Sequence, residues 1–147
     1  MRETYAAFTA PAEMDQRHTV HLGGAYVPGP RWRLSAAWEY HSGLPITAST
    51  LQSGLSTSGR LWVRSVYGPL YGDRLPAYHR MDLRFTRSWT GRPGSGTAFV
   101  DVFNLYDRQN PRSYSYSFTP QQTTVQVNRK IESSLPVLPS LGVSWEF

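Results

Sequence analysis

The sequence predicts an all-β fold, an antiparallel up-and-down meander of about five strands joined by tight turns and long loops. Three observations carry that expectation. Five separate stretches alternate apolar and polar residues with a period of two, the mark of a strand with one apolar and one polar face. Breaks rich in Gly and Pro punctuate them. The connections between the five run short, long, short, long; in a meander this puts both short turns at one end of the sheet and both long loops at the other.

Residues 1–16 hold Pro11 and show no clear period, so they read as a loop or a frayed strand. From Arg17 to Val27, the face of Val20, Leu22, Gly24 and Tyr26 opposes that of Thr19, His21, Gly23 and Ala25. Pro28-Gly29-Pro30 is then expected to stop the strand. A second strand follows from Arg31 to about His41. Trp32, Leu34, Ala36, Trp38 and Tyr40 line one side; Arg31, Arg33, Ser35, Ala37, Glu39 and His41 line the other. Two alternating runs across so short a break predict a hairpin.

Ser42-Gly43-Leu44-Pro45 ends that strand, and a Ser/Thr/Gly-rich segment to about Ala77 reads as a loop too long for a compact soluble domain. The third strand, Tyr78 to Trp89, sets Met81, Leu83, Phe85 and Trp89 against Arg80, Asp82, Arg84, Thr86 and Ser88; Arg87 interrupts the apolar side near its end. Residues 90–96 form a turn. Their Gly spacing faintly resembles a phosphate loop but lacks the Lys-Ser/Thr ending and a following helix. The fourth strand, Thr97 to about Tyr106, alternates less cleanly, because Phe99 and Phe103 oppose Ala98, Val100 and Val102. A second long polar segment runs from Asp107 to about Pro139; within it the alternation of Tyr114, Tyr116 and Phe118, and of Val125 and Val127, suggests a strand pair. The last strand is Leu138 to Phe147.

Composition narrows the class. A chain of 147 residues fits one domain, 1–147. Its apolar share of 39% is low for a soluble core of that size, yet it carries nine Tyr, six Phe and five Trp. No run of about 18 apolar residues exists, so no transmembrane helix is expected. A low apolar share does not argue against a membrane barrel, where only alternate residues face lipid. The predicted strands reach the roughly 9–11 residues that a tilted strand needs to cross a bilayer. Zero cysteines exclude a disulfide framework and thiolate metal sites, and suit an oxidising periplasm or exterior. The net charge of +5 is scattered along the strands instead of forming a run, so no nucleic-acid partner is expected. Met1-Arg2-Glu3-Thr4-Tyr5 lacks the apolar segment of a signal peptide. The expectation is that an export signal lies upstream and that the chain is a fragment. Together these features predict a partial transmembrane β-barrel, about five strands plus long extracellular loops, in contact with outer-membrane lipid.

The last eight residues sharpen that reading. Leu141, Val143, Trp145 and Phe147 alternate with Gly142, Ser144 and Glu146, and the chain stops on an aromatic. Ser140, Gly142, Trp145 and Phe147 resemble the C-terminal signal of bacterial outer-membrane barrels, which implies recognition of the final strand by the barrel assembly machinery. Four stretches are similar, in the same order, to the C-terminal barrel region of TonB-dependent outer-membrane receptors. They are Asp15-Gln16-Arg17-His18-Thr19, Ser42-Gly43-Leu44-Pro45-Ile46-Thr47, Asp101-Val102-Phe103-Asn104-Leu105-Tyr106-Asp107-Arg108 and Pro139 to Phe147. The resemblance implies energised uptake of a scarce solute (an iron chelate, vitamin or glycan) and a location in the cell outer membrane. It also implies partnership with the rest of a receptor, including a plug domain, and contact with TonB only through a missing N-terminal part. Five strands are far short of the roughly 22 of such barrels and cannot close a wide lumen. The other readings are a different small outer-membrane barrel, which needs about eight strands, and a soluble all-β carbohydrate-binding module.

For candidate sites, Glu39, Asp82 and Asp101 fall mid-strand among Arg33, Arg80 and Arg84. If Asp101 shares the face of the others, the six form a lumen-facing set of cross-strand charge pairs. A catalytic carboxylate pair is not expected, since no His or nucleophile is placed to serve it. His18, His21, His41 and His79 are spread over three strands, only His21 and His41 on the inward face; no metal site, cofactor or enzymatic activity is expected. Tyr67, Tyr71, Tyr78, Tyr114 and Tyr116 populate the long segments, where Tyr67, Tyr71, Tyr114 and Tyr116 are candidate ligand contacts, against the alternatives of loop packing or an aromatic belt.

Overall fold

A computed structural model of the chain describes residues 2–5, 8–120 and 125–147. Among these there is no helix. The strands are β1 (Arg2–Tyr5), β2 (Phe8–Pro11), β3 (Thr19–Gly29), β4 (Trp32–His41), β5 (Pro45–Ile46), β6 (Ser49–Leu55), β7 (Leu61–Tyr67), β8 (Asp73–Arg74), β9 (Tyr78–Gly91), β10 (Gly94–Phe103), β11 (Pro111–Pro120), β12 (Val125–Ser133) and β13 (Leu138–Glu146). Every pairing is antiparallel. The chain divides into two compact units, the first holding residues 1–17, 42–77 and 111–133, the second residues 18–41, 78–110 and 134–147.

The second unit is a single five-stranded meander in the order β13-β10-β9-β4-β3. Its five strands are those read from the alternation, with no boundary moved by more than three residues. Pro28-Gly29-Pro30 does not stop β3, which runs through Pro28 to Gly29 with a register shift after Tyr26. The physical reason is position: β3 pairs with β4 alone, and an edge strand tolerates a residue without an N–H. The β9–β10 hairpin is tighter than expected, with Gly91 opposite Gly94. Both tight turns lie at one end of the sheet. At the other end His41 pairs with Tyr78 and Phe103 with Leu138, so both long excursions leave and return there.

Beyond Phe103 the chain folds into a corner built on asparagine. Asn104 and Asn110 are 1% exposed, and Asn104 and Asp107 adopt the left-handed conformation. Asn tolerates that region and can satisfy neighbouring backbone groups with its amide. The Asn104 amide nitrogen donates to the Arg108 and Leu135 carbonyls at 3.0 and 3.1 Å, and its oxygen accepts from the Arg108 N–H at 3.1 Å. Asn110 bridges to β9, accepting from the His79 N–H at 3.1 Å and donating to the His79 carbonyl at 2.9 Å. Asp82 accepts from the Asn104 N–H at 2.9 Å, and Asp107 accepts from the Val137 N–H at 2.8 Å.

The first unit consists of two-stranded pairs: β1–β2, β5–β8, β6–β7 and β11–β12. The segment from Ser42 to Ala77, expected to be a loop, therefore contains four strands. Its Ser/Thr-rich character hid them, because weakly apolar strands held by backbone ladders and polar cross-strand contacts show little hydrophobic period. Arg64 on β7 donates to the Gln52 side chain on β6 at 2.9 Å, for example. Residues 1–16, expected to be a loop or frayed strand, carry β1 and β2, and the suspected strand pair after Asp107 is the β11–β12 hairpin. Residues 1, 6, 7 and 121–124, which fall in those expectations, lie outside the described residues.

A small knot holds this unit at Asp15, which is 8% exposed. Arg74 meets the Asp15 carboxylate at 2.6 Å and donates to the carbonyls of Asp15 at 2.7 Å and Gly43 at 2.9 Å. Any Cβ on Gly43 would run into the Leu75 carbonyl, so the close backbone crossing there requires glycine.

The Asn104 corner makes a specific expectation. Asn104→Ala removes three hydrogen bonds and strands buried backbone groups, and should destabilise the chain by roughly 3 kcal/mol. Urea unfolding followed by tryptophan fluorescence measures this; a loss below about 1 kcal/mol would remove the corner from the account.

Candidate functional site

The two faces of the five-stranded sheet are chemically opposed, and the register decides which residues meet. On one face Leu34 pairs with Phe85, Ala36 with Leu83 and Trp38 with Met81. Leu22 pairs with Trp38, Val100 with Phe85 and Leu141, and Ala98 with Val143. These side chains are not packed into a core. Leu22, Val143 and Leu141 are 60%, 66% and 81% exposed. Among the described residues no buried apolar side chain belongs to this unit; Ala10, Ala12, Pro45 and Leu75 are all in the other.

Aromatic residues gather at both ends of this face. Near the tight turns Trp32 lies 5.1 Å from Phe85, and Trp89 lies 5.6 Å from Trp145. Toward the other end Trp38 stacks with Tyr40 at 6.1 Å and approaches His79 at 6.4 Å; His79 Nδ1 and the Tyr106 hydroxyl are 2.7 Å apart. Trp89 also lies over its cross-strand partner Gly96, a position where a Cβ would strike the ring. Pairing a large ring with a glycine restores packing that the glycine cannot supply.

The opposite face carries the predicted charges, and Asp101 does share it. Asp101 pairs with Arg84 in register and takes a two-pronged ion pair from it, both contacts 2.6 Å. Glu39 pairs with Arg80, whose guanidinium lies 3.4 Å from Glu39 and 3.0 Å from Asp82 and donates to the Tyr78 hydroxyl at 2.9 Å. Arg33 is apart from both clusters. It pairs with Thr86 and donates to the Ser35 hydroxyl at 3.3 Å. His41 stacks on Tyr78 at 4.4 Å, and His21 stands opposite Glu39.

Sequence reasoning missed the aromatic half of this face. Arg80 sits 4.0 Å over the Phe103 ring and Arg84 4.6 Å over Phe99. Phe99 in turn covers Gly142, its partner on β13. The irregular alternation of the fourth strand was the signal: both Phe residues occupy the polar face because cations rest on them. Gly142 thus has a packing role of its own. Ser140 pairs with Asp101, Trp145 with Gly96, and Phe147 is fully exposed just beyond the end of β13.

The candidate ligand tyrosines are not gathered at one place. Tyr71 lines an open cleft of about 910 Å³ together with Thr9, Pro11, Arg17, Asp73 and Arg74. Its backbone is left-handed and its N–H donates to the Thr47 hydroxyl at 3.0 Å. Tyr67, 71% exposed at the end of β7, does not line that cleft. Tyr114 and Tyr116 lie on β11, with Arg129 4.7 Å over the Tyr114 ring.

Known proteins offer no guide. Neither a family model, nor a curated protein, nor a solved structure matches this chain. Its chemistry must be read from the two faces. Among the described residues no group of His, Asp or Glu is placed to hold a metal ion. The charged face is instead a set of ion pairs and cation–ring contacts.

Arg80 organises its part of that face. Arg80→Ala should cost about 2 kcal/mol, since it removes two ion pairs and a cation–ring contact and leaves Glu39 and Asp82 facing each other. Arg80→Lys should recover part of the loss. Unfolding midpoints of the two variants indistinguishable from the parent would refute this role.

Proposed function

We propose that the chain is a wall segment of an outer-membrane β-barrel, the C-terminal part of a TonB-dependent receptor that takes up a scarce solute such as an iron chelate, vitamin or glycan. The observation that supports this most is the two-sidedness of the sheet: one face apolar and uncovered, the other charged and internally paired. Burying a large apolar side chain is worth roughly 1.5–3 kcal/mol. In water the sheet would forgo that gain at Leu22, Leu34, Phe85, Val100, Leu141 and Val143 together, whereas hydrocarbon supplies it. A soluble carbohydrate-binding module would leave the same face without a covering.

Dimensions agree with this reading. From His79 to Trp89, the aromatic limits of β9, ten residues span about 33 Å at about 3.3 Å per residue. With the roughly 40° tilt of such strands this becomes about 25 Å, the height of a barrel's apolar band. The free edges of β3 and β13 also favour a larger assembly, because hydrocarbon does not accept unpaired strand edges. In this proposal preceding strands of the receptor complete the barrel. Its plug meets the charged face and TonB is engaged through the upstream part. The assembly machinery reads the strand ending at Phe147. Short turns then face the periplasm and the long segments the exterior, in keeping with barrel asymmetry.

The absence of cysteine makes a direct test simple. Single cysteines placed in turn at residues 97–102 and reconstituted in vesicles should alternate. Those at Val100 and Val102 should resist a water-soluble maleimide, those at Thr97, Phe99 and Asp101 should react, and Ala98→Cys, beside Arg87 at the headgroup level, should react partly. Uniform labelling along β10 would sink the membrane reading. Deleting Phe147 should also lower outer-membrane insertion of the full-length parent, measured by heat-modifiable mobility in isolated membranes; undiminished insertion would count against the terminal signal.

A further inference from the structure

Resting on the membrane reading, we infer that Arg87 and Trp32 form a binding site for the phosphate of an anionic glycerophospholipid at the tight-turn end of the apolar face. Arg87 is the sole charged residue among those that β3, β4, β9, β10 and β13 direct to that face. Its register partners are Trp32 on β4 and Ala98 on β10. The guanidinium lies 4.8 Å from the centre of the Trp32 ring, which rests in turn 5.1 Å from Phe85. Arg80 and Arg84, its neighbours on the same strand, have carboxylates; Arg87 points the other way and has no ion pair among the described residues.

Such a cation needs an anion at that depth. Trp32 is the first residue of β4, so Arg87 is level with the β3–β4 turn, where hydrocarbon gives way to headgroups in the proposed orientation. An arginine lays its apolar stem along hydrocarbon and carries its charge to the interface. Its planar fork matches two phosphate oxygens. Stacking on an indole holds the fork in place without consuming its donors. Ala98 on the other side leaves room for the headgroup where a larger residue would close it. The short-turn end faces the periplasmic leaflet in this orientation, which selects a glycerophospholipid as the occupant.

The test uses the full chain in mixed vesicles of phosphatidylcholine and phosphatidylglycerol, with tryptophan quenching by brominated forms of each lipid read separately. The parent should favour brominated phosphatidylglycerol about fivefold, the scale of one basic residue at an anionic surface. Arg87→Gln should bring the preference close to one, Arg87→Lys should keep most of it, and Arg60→Gln, in the β6–β7 hairpin, should leave it intact. A preference retained by Arg87→Gln, or lost equally in Arg60→Gln, overturns the site. If brominated phosphatidylcholine fails to quench at all, the membrane reading itself fails, and the lipid site with it.

Discussion

A slip of one residue between β4 and β9 would set Phe85 opposite Ser35 and Arg84 opposite Ala36, and would carry one strand's side chains to the wrong face. The sheet resists that slip from both sides. Charge pairs hold the register on the polar face, where Arg84 meets Asp101 and Arg80 meets Glu39. Ring contacts hold it on the apolar face, where Trp32 meets Phe85 and Trp89 meets Trp145. With no buried apolar side chain in the sheet among the described residues, cross-strand pairs carry much of its specificity.

Glycine and aromatic residues cooperate across these strands. Phe99 over Gly142 and Trp89 over Gly96 repeat one device on opposite faces of β10, and Trp62 over Gly54 uses it again in the first unit. In each case the ring occupies the space a side chain would fill. The Phe99 case links the faces' chemistry to the last strand, since the same ring supports Arg84.

The alternating strands were legible because a period of two is a local property, visible without knowing any partner. Assigning Asp101 to the charged face was harder: Phe99 and Phe103 share its side, and bulk on both sides of β10 blurs the period. The reason for their placement is long-range, a cation from β9 on each ring, and no local pattern displays it. Pro28 misled because a proline's effect depends on whether its strand lies at an edge. β5 to β8 were missed because β5 and β8 are only two residues long and the apolar residues of β6 and β7 do not alternate with a clean period of two. Asn110 gave no sign of its burial, since polar residues ordinarily face water and its partner groups belong to the His79 backbone on another strand. The motif Asp101 to Arg108, noticed first as a likeness, has a mechanical meaning in the Asn104 corner.

Each long excursion leaves the sheet and rejoins it at residues that are register partners, His41 with Tyr78 and Phe103 with Leu138. The two ends of either excursion are therefore already held side by side by the ladder, whatever lies between them. Closing a flexible segment costs only slowly more as it lengthens. These junctions are natural grafting points: the intervening sequence can grow, shrink or be exchanged while the strands that carry it keep their alignment, so one sheet can carry many different inserts.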